Sequence, residues 1–125
     1  MGEIVVKYLF ICYPQCTTCR KAKKWLDENN IEYEERHIGK DNPNFLELAK
    51  WTAQSGLPLK KFFNTRGTLY KEMNLKEKLS QMSEEEQLEL LASNGMLVRR
   101  PLLVSETEVL VGFNIEEWEK IHKDI

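Results

Sequence analysis

Tyr13-Pro14-Gln15-Cys16-Thr17-Thr18-Cys19-Arg20-Lys21 joins two segments of opposite periodicity. Upstream, Ile4 to Cys12 is an apolar run rich in β-branched and aromatic residues, the pattern of a mostly buried strand. Downstream, Ala22, Trp25 and Leu26 recur at helical spacing, and Asn29-Asn30 gives a stop. A Cys-x-x-Cys at a strand-to-helix junction places its first sulfur at a helix N-terminus, where free backbone N–H groups and the dipole favour a thiolate. The second thiol, one turn on, is spaced to attack a mixed disulfide formed by the first. Cys16 is therefore the candidate nucleophile and Cys19 the candidate resolving cysteine. Thr17 or Thr18 is the expected helix cap.

Working outward, Ile31 to Ile38 alternates apolar and charged residues, as a more exposed strand does. Strand, helix and strand within about 35 residues make a βαβ unit with parallel strands. Pro43 opens a second helix that runs to about Ser55 and stops at Gly56. Leu57 to Phe63 reads as a short helix, Asn64-Thr65-Arg66-Gly67 as a polar turn, and Tyr70 to Leu79 as partly helical. Ser83 and Glu86 form a capping box for a helix that Asn94-Gly95 closes. Residues 101–112 read as a hairpin about Ser105-Glu106-Thr107, and Ile115 to His122 as a last amphipathic helix.

At 125 residues, 42% hydrophobic and 30% charged, the chain reads as one domain, residues 1–125, able to form a core. A net charge of −2 gives no general affinity for nucleic acid or a membrane surface. Residues 1–62 carry 10 Lys and Arg against 8 Asp and Glu, and residues 63–125 carry 8 against 12. Arg20, Lys21, Lys23 and Lys24 crowd the cysteines, so the reactive side is expected to be the positive one. The N-terminal sequence lacks the pattern of a signal peptide, and no apolar run is long enough to span a bilayer. A cytoplasmic location is expected, where three cysteines within eight positions point to redox or metal chemistry rather than a permanent staple.

Cys-x-x-Cys also occurs in zinc half-sites and as inert thiols. A structural zinc site normally takes four Cys or His ligands; beyond Cys16 and Cys19 there are only Cys12, His37 and His122, without matching spacing, and no metal is expected. Cys12 reads as a small buried hydrophobe, and the two histidines as solvated or capping residues. Arg99-Arg100-Pro101 has two readings. An arginine there can face the thiolate or grip an anion through its planar fork, or the pair can cap the preceding helical turn at the surface.

Tyr13 to Ala22, with Arg100-Pro101-Leu102-Leu103 and Val111-Gly112-Phe113 downstream, resembles the ArsC/Spx family over about residues 4–121. That family groups glutaredoxin-linked arsenate reductases with the Spx redox regulators of RNA polymerase. The resemblance implies an α/β, thioredoxin-like (glutaredoxin-like) fold: a mixed four-stranded sheet, its core about 1–42 and 95–125, with a helical insertion about 43–94. It implies a catalytic set of Cys16, Cys19 and Arg100, with Pro101 as a cis-proline, and substrate contacts from Thr17, Thr18, Arg66, Arg100 and Pro101. No bound cofactor is implied; glutathione or a dithiol protein would be the reductant. Expected partners are a small thiol or oxyanion substrate, or a glutaredoxin- or thioredoxin-type protein. RNA polymerase is the partner in the regulator alternative.

Two departures bear on activity. Two of the three oxyanion-binding arginines of the arsenate reductases fall near Asn64, with Arg66 two residues away, and near uncharged Gly112. Losing two charge-assisted donors, each worth about 1.5–3 kcal/mol, weakens an oxyanion's binding by roughly a hundredfold or more. The expected function is thus a Cys16/Cys19 thiol–disulfide oxidoreductase. An Spx-like regulator and a true glutaredoxin-dependent arsenate reductase are the alternatives. Gly56 lies close to a glycine that Spx uses at its polymerase contact, and reads equally as a helix stop.

Overall fold

In the computed structural model the residues described are 8–123, the side chains of His122 and Lys123 excepted. Residues 4–7 of the expected first strand and the side chain of His122 lie outside the described residues. Strand β1 (Tyr8–Cys12) leads into α1 (Thr17–Glu28) and then β2 (Tyr33–His37). The two strands pair in parallel, Tyr8 opposite Tyr33 and Cys12 opposite His37, so the expected βαβ unit is present. Strands β3 (Leu102–Val104) and β4 (Val109–Val111) form the hairpin. β3 lies antiparallel to β1, and the sheet order is β2-β1-β3-β4.

Alternation along β1 divides the core, because successive side chains leave a strand on opposite faces. Tyr8, Phe10 and Cys12 pack with Cys19, Ala22 and Leu26 of α1 and with Trp118 and Ile121 of α6 (Ile115–Lys123). Ile11 belongs instead to the cluster built by residues of the 43–94 segment, among them Leu48, Trp51, Phe62, Tyr70 and Leu91. Each face of the sheet is thus covered by its own helices, the layering of an α/β domain.

The 43–94 segment holds α2 (Phe45–Ser55), α3 (Thr68–Glu72), α4 (Leu75–Lys78) and α5 (Glu84–Ser93). The helix expected from Pro43 begins two residues later, with Asn44 as its cap. Gly56 takes the left-handed conformation that stops it, φ 69°. Leu57 to Phe63 contributes a 3₁₀ turn at Leu59–Phe62 rather than an α-helix. Within the expected Tyr70 to Leu79 stretch, Asn74 is left-handed (φ 54°) and breaks the helix into α3 and α4.

Candidate active site

The turn after β1 is tight: the Cys16 N–H donates to the Tyr13 carbonyl (2.9 Å), and Arg20 Nε donates to the Pro14 carbonyl (3.0 Å). Cys16 has extended backbone and is itself the cap residue of α1, with no side-chain cap bond. The expected threonine cap is therefore absent, because the helix starts one residue earlier than that reading requires. Thr17 and Thr18 occupy its first two positions, both exposed. Cys16 is half-buried, while Cys19 faces inward and is only 2% exposed.

The three thiols form a chain with Cys19 in the middle. Cys19 hydrogen-bonds with the thiols of both Cys12 and Cys16, and it accepts from the Tyr13 backbone N–H at 3.3 Å. The Cys12 bond and burial together push the Cys19 thiol well above its ordinary range. The same bond draws the Cys12 thiol downward, against its own burial. Cys12 is thus buried as expected, but it is also polar-partnered.

A cleft of about 370 Å³ opens in front of Cys16. Cys16 and Thr18 line one side; Phe63, Asn64, Thr65 and Arg66 line another; Arg99, Arg100, Gly112 and Phe113 complete it. A bridge between Phe63 and Val98 and the Arg99 N–H to Phe62 carbonyl bond (2.7 Å) hold the 63–66 turn beside the two arginines. Gly112 is held by its N–H to the Pro101 carbonyl (2.8 Å) and by the buried Trp118 Nε1–H, which donates to the Gly112 carbonyl (3.2 Å). The Arg100–Pro101 peptide is cis, as the resemblance implies. Pro101 is buried and does not line the cleft, nor does Thr17.

Both readings of the arginine pair have a counterpart here. Arg100 Nη1 donates to the carbonyls of Val98 (3.3 Å) and Met96 (3.4 Å), closing the preceding 3₁₀ turn, and its guanidinium lies 5.5 Å from the centre of the Tyr13 ring. It also lines the cleft, together with Arg99. Arg99 is the residue sequence reasoning missed. A Cβ on Gly112 (φ 74°) would meet Arg99 Nε at 2.9 Å and Nη2 at 3.1 Å, so the guanidinium lies flat against this glycine.

Two expectations are corrected by that placement. The positive charge in the cleft comes from Arg66, Arg99 and Arg100, with no Asp or Glu in the lining, and not from the basic residues of α1. Lys23 and Lys24 are turned to Glu35 (2.7 Å) and Glu28 (3.9 Å), respectively. The two donors judged missing at Asn64 and Gly112 are also matched in number, by Arg66 and Arg99. Three guanidiniums in one cleft suit an anion of fixed shape.

His37 lies away from the cleft lining; its Nδ1 accepts from the N–H groups of Gly39 (3.0 Å) and Lys40 (3.1 Å), a capping role. Among the described residues no group of three or more His, Cys, Asp or Glu side chains is arranged to hold a metal ion. Among them, too, no helix is long and apolar enough to cross a membrane.

Known proteins are similar to this chain over most of its length. The uncharacterized protein YusI of Bacillus subtilis is 56% identical over 111 residues, 89% of this chain and 94% of that one. The regulatory protein MgsR of the same organism is 36% identical, covering 91% and 89%. The global transcriptional regulator Spx of Enterococcus faecalis is 34% identical, covering 83% and 77%. The crystal structure of a putative ArsC family related protein from Bacteroides fragilis superposes with a TM-score of 0.91 at 61% identity, covering 94% of this chain and 99% of that one. With the ArsC family model matching residues 12–121, the chain belongs to the ArsC family.

Proposed function

We propose that this ArsC-family chain is a thiol–disulfide oxidoreductase acting on anionic substrates. The observation that carries the reading is one cleft shared by the N-capping Cys16 and the guanidiniums of Arg66, Arg99 and Arg100. The Cys16 thiolate attacks one sulfur of a disulfide, forming a mixed disulfide and expelling the other half as a thiolate. The open N-terminus of α1 and the arginines favour the negative charge that passes across the cleft. Cys19 then loses its proton and attacks Cys16 Sγ, giving the Cys16–Cys19 disulfide and releasing the second thiolate. Glutathione or a dithiol protein of the glutaredoxin or thioredoxin type reduces that disulfide and closes the cycle.

A second reading is favoured by the names of two relatives, a regulatory protein and a global transcriptional regulator. In it the same disulfide switches a surface that binds RNA polymerase, as the resemblance to Spx implies. The left-handed φ of Gly56 already accounts for that glycine as a helix stop, so it adds no weight to a polymerase contact.

The test is turnover of oxidised glutathione against a neutral disulfide of similar size, coupled to a thiol reductant. The expected result is a preference for the anionic disulfide that falls about tenfold in Arg99→Ala, one charge-assisted bond at the low end of its range. No turnover and no Cys16–Cys19 disulfide in wild type would overturn the reading. Arsenate reduction with glutaredoxin, abolished by Cys16→Ser, would move the assignment to arsenate. RNA polymerase captured by only one redox state would move it to the regulator.

A further inference from the structure

The oxidoreductase reading uses two of the three thiols, and Cys12 is left over. It is only 2% exposed, at the last position of β1, on the same sheet face as Cys19. The Cys19 sulfur sits between the other two, hydrogen-bonded to both, and the Tyr13 N–H fixes it from the backbone. A thiolate that displaces another from a disulfide must reach one sulfur of the pair from the side away from its leaving partner. Cys16 lines the cleft while Cys12 and Cys19 share the core behind it, so Cys12 meets Cys19 from the core side.

We propose that Cys12 is a third redox-active residue, to which the oxidised bond migrates, leaving Cys16 free. The inference rests on the oxidoreductase reading for its starting species, the Cys16–Cys19 disulfide. Cys12 gives up its proton to solvent, and its thiolate attacks Cys19 Sγ. The Cys12–Cys19 bond forms as the Cys16–Cys19 bond breaks, and Cys16 leaves as a thiolate. One disulfide is exchanged for another, so no oxidant or reductant is consumed beyond the substrate disulfide that started the sequence. The product holds its oxidising equivalent in the core between β1 and α1, while Cys16 in the cleft is ready to take a second disulfide.

Localising the single free thiol decides the matter. Full-length protein is oxidised with oxidised glutathione, and molecules carrying one internal disulfide are quenched in acid. The free thiol is blocked in denaturant with a first alkylating agent; the disulfide is then reduced and labelled with a second. All three cysteines fall in one tryptic peptide, residues 8–20, so fragment ions assign each label within it. The expected result is Cys16 as the free thiol in at least roughly a tenth of the singly oxidised molecules, and in none when Cys12→Ala is treated alike. If the free thiol is always Cys12, the disulfide forms but does not migrate, and the inference fails while the oxidoreductase reading stands. If no internal disulfide forms, both fail together.

Discussion

Helices α1, α2 and α5 begin in two different ways. At α2, Asn44 accepts from the Glu47 N–H (2.9 Å) while Glu47 Oε1 accepts from the Asn44 N–H (3.0 Å). At α5, Ser83 and Glu86 make the same reciprocal pair at 3.1 and 3.0 Å. Both place acidic residues in the first turn, where the helix dipole rewards them. Helix α1 has no side-chain cap and no acid in its first turn. Its terminus is left open, with a sulfur at the capping position and a cleft lined by three arginines in front. The closed termini stabilise the fold; the open one leaves its first N–H groups and positive end without a side-chain partner.

Closing the open terminus should break the contrast most sharply. Serine is among the preferred capping residues, and cysteine is not. Cys16→Ser should therefore abolish disulfide exchange while raising stability, by about 0.5–1 kcal/mol if Oγ reaches an N–H of the first turn. Disulfide turnover and a urea titration on the same preparation check both halves. A variant that is inactive and also less stable would show that the sulfur has a packing role at the capping position.

The next largest effect is expected at Glu47, which belongs both to a capping box and to an ion pair. Arg36 Nη1 and Nη2 donate to its two carboxylate oxygens at 2.6 and 2.8 Å, and Arg36 also donates to the carbonyls of Asp41 and Asn42. The Arg36 side chain is 14% exposed and that of Glu47 29%, so the pair is only partly screened. Glu47→Ala removes the cap contact and strips Arg36 of its bidentate partner, at a cost of about 2 kcal/mol. The Arg36 bonds hold the Glu47 carboxyl below the usual carboxylate range. A depressed folded value means the stabilisation is complete above the unfolded carboxylate pKa and is lost as pH falls through the folded one. The gap between wild type and Glu47→Ala should therefore be constant near neutrality and shrink below about pH 4. Urea titrations at a series of pH values measure it.

What could be read from the sequence divides along the same line. The capping box at α5, the βαβ unit and the hairpin depend on residues a few positions apart, so local pattern finds them. The start of α1 is not found by local propensity, because threonine is the better cap and the chain nonetheless places Cys16 at the capping position. Arg99 could not have been separated from Arg100 by spacing. Its guanidinium is placed by a glycine 13 positions downstream, and only the packed chain brings the two together. Gly112, uncharged where the resemblance leads one to expect arginine, was the available signal; it marks room for a guanidinium arriving from another strand end. The Cys12–Cys19 contact was hidden likewise, because it joins a strand to a helix across a turn. An apolar neighbourhood conceals a thiol hydrogen bond.

The smallest effect tests whether the closed termini are as purely structural as the contrast holds. Ser83 Oγ accepts the Glu86 N–H on a helix far from the cleft lining, and no charge on Ser83 complicates its removal. Ser83→Ala leaves one first-turn N–H to water and should lower stability by about 1 kcal/mol, the ordinary worth of such a cap. Disulfide turnover measured well below the melting temperature should be unchanged. A drop in turnover at constant fraction folded would mean that the start of α5 communicates with the cleft. The route would run through α5 and the 3₁₀ turn at Gly95–Leu97, whose Met96 carbonyl accepts from Arg100. That outcome would redraw the boundary between scaffold and site by placing a capped helix on the functional side.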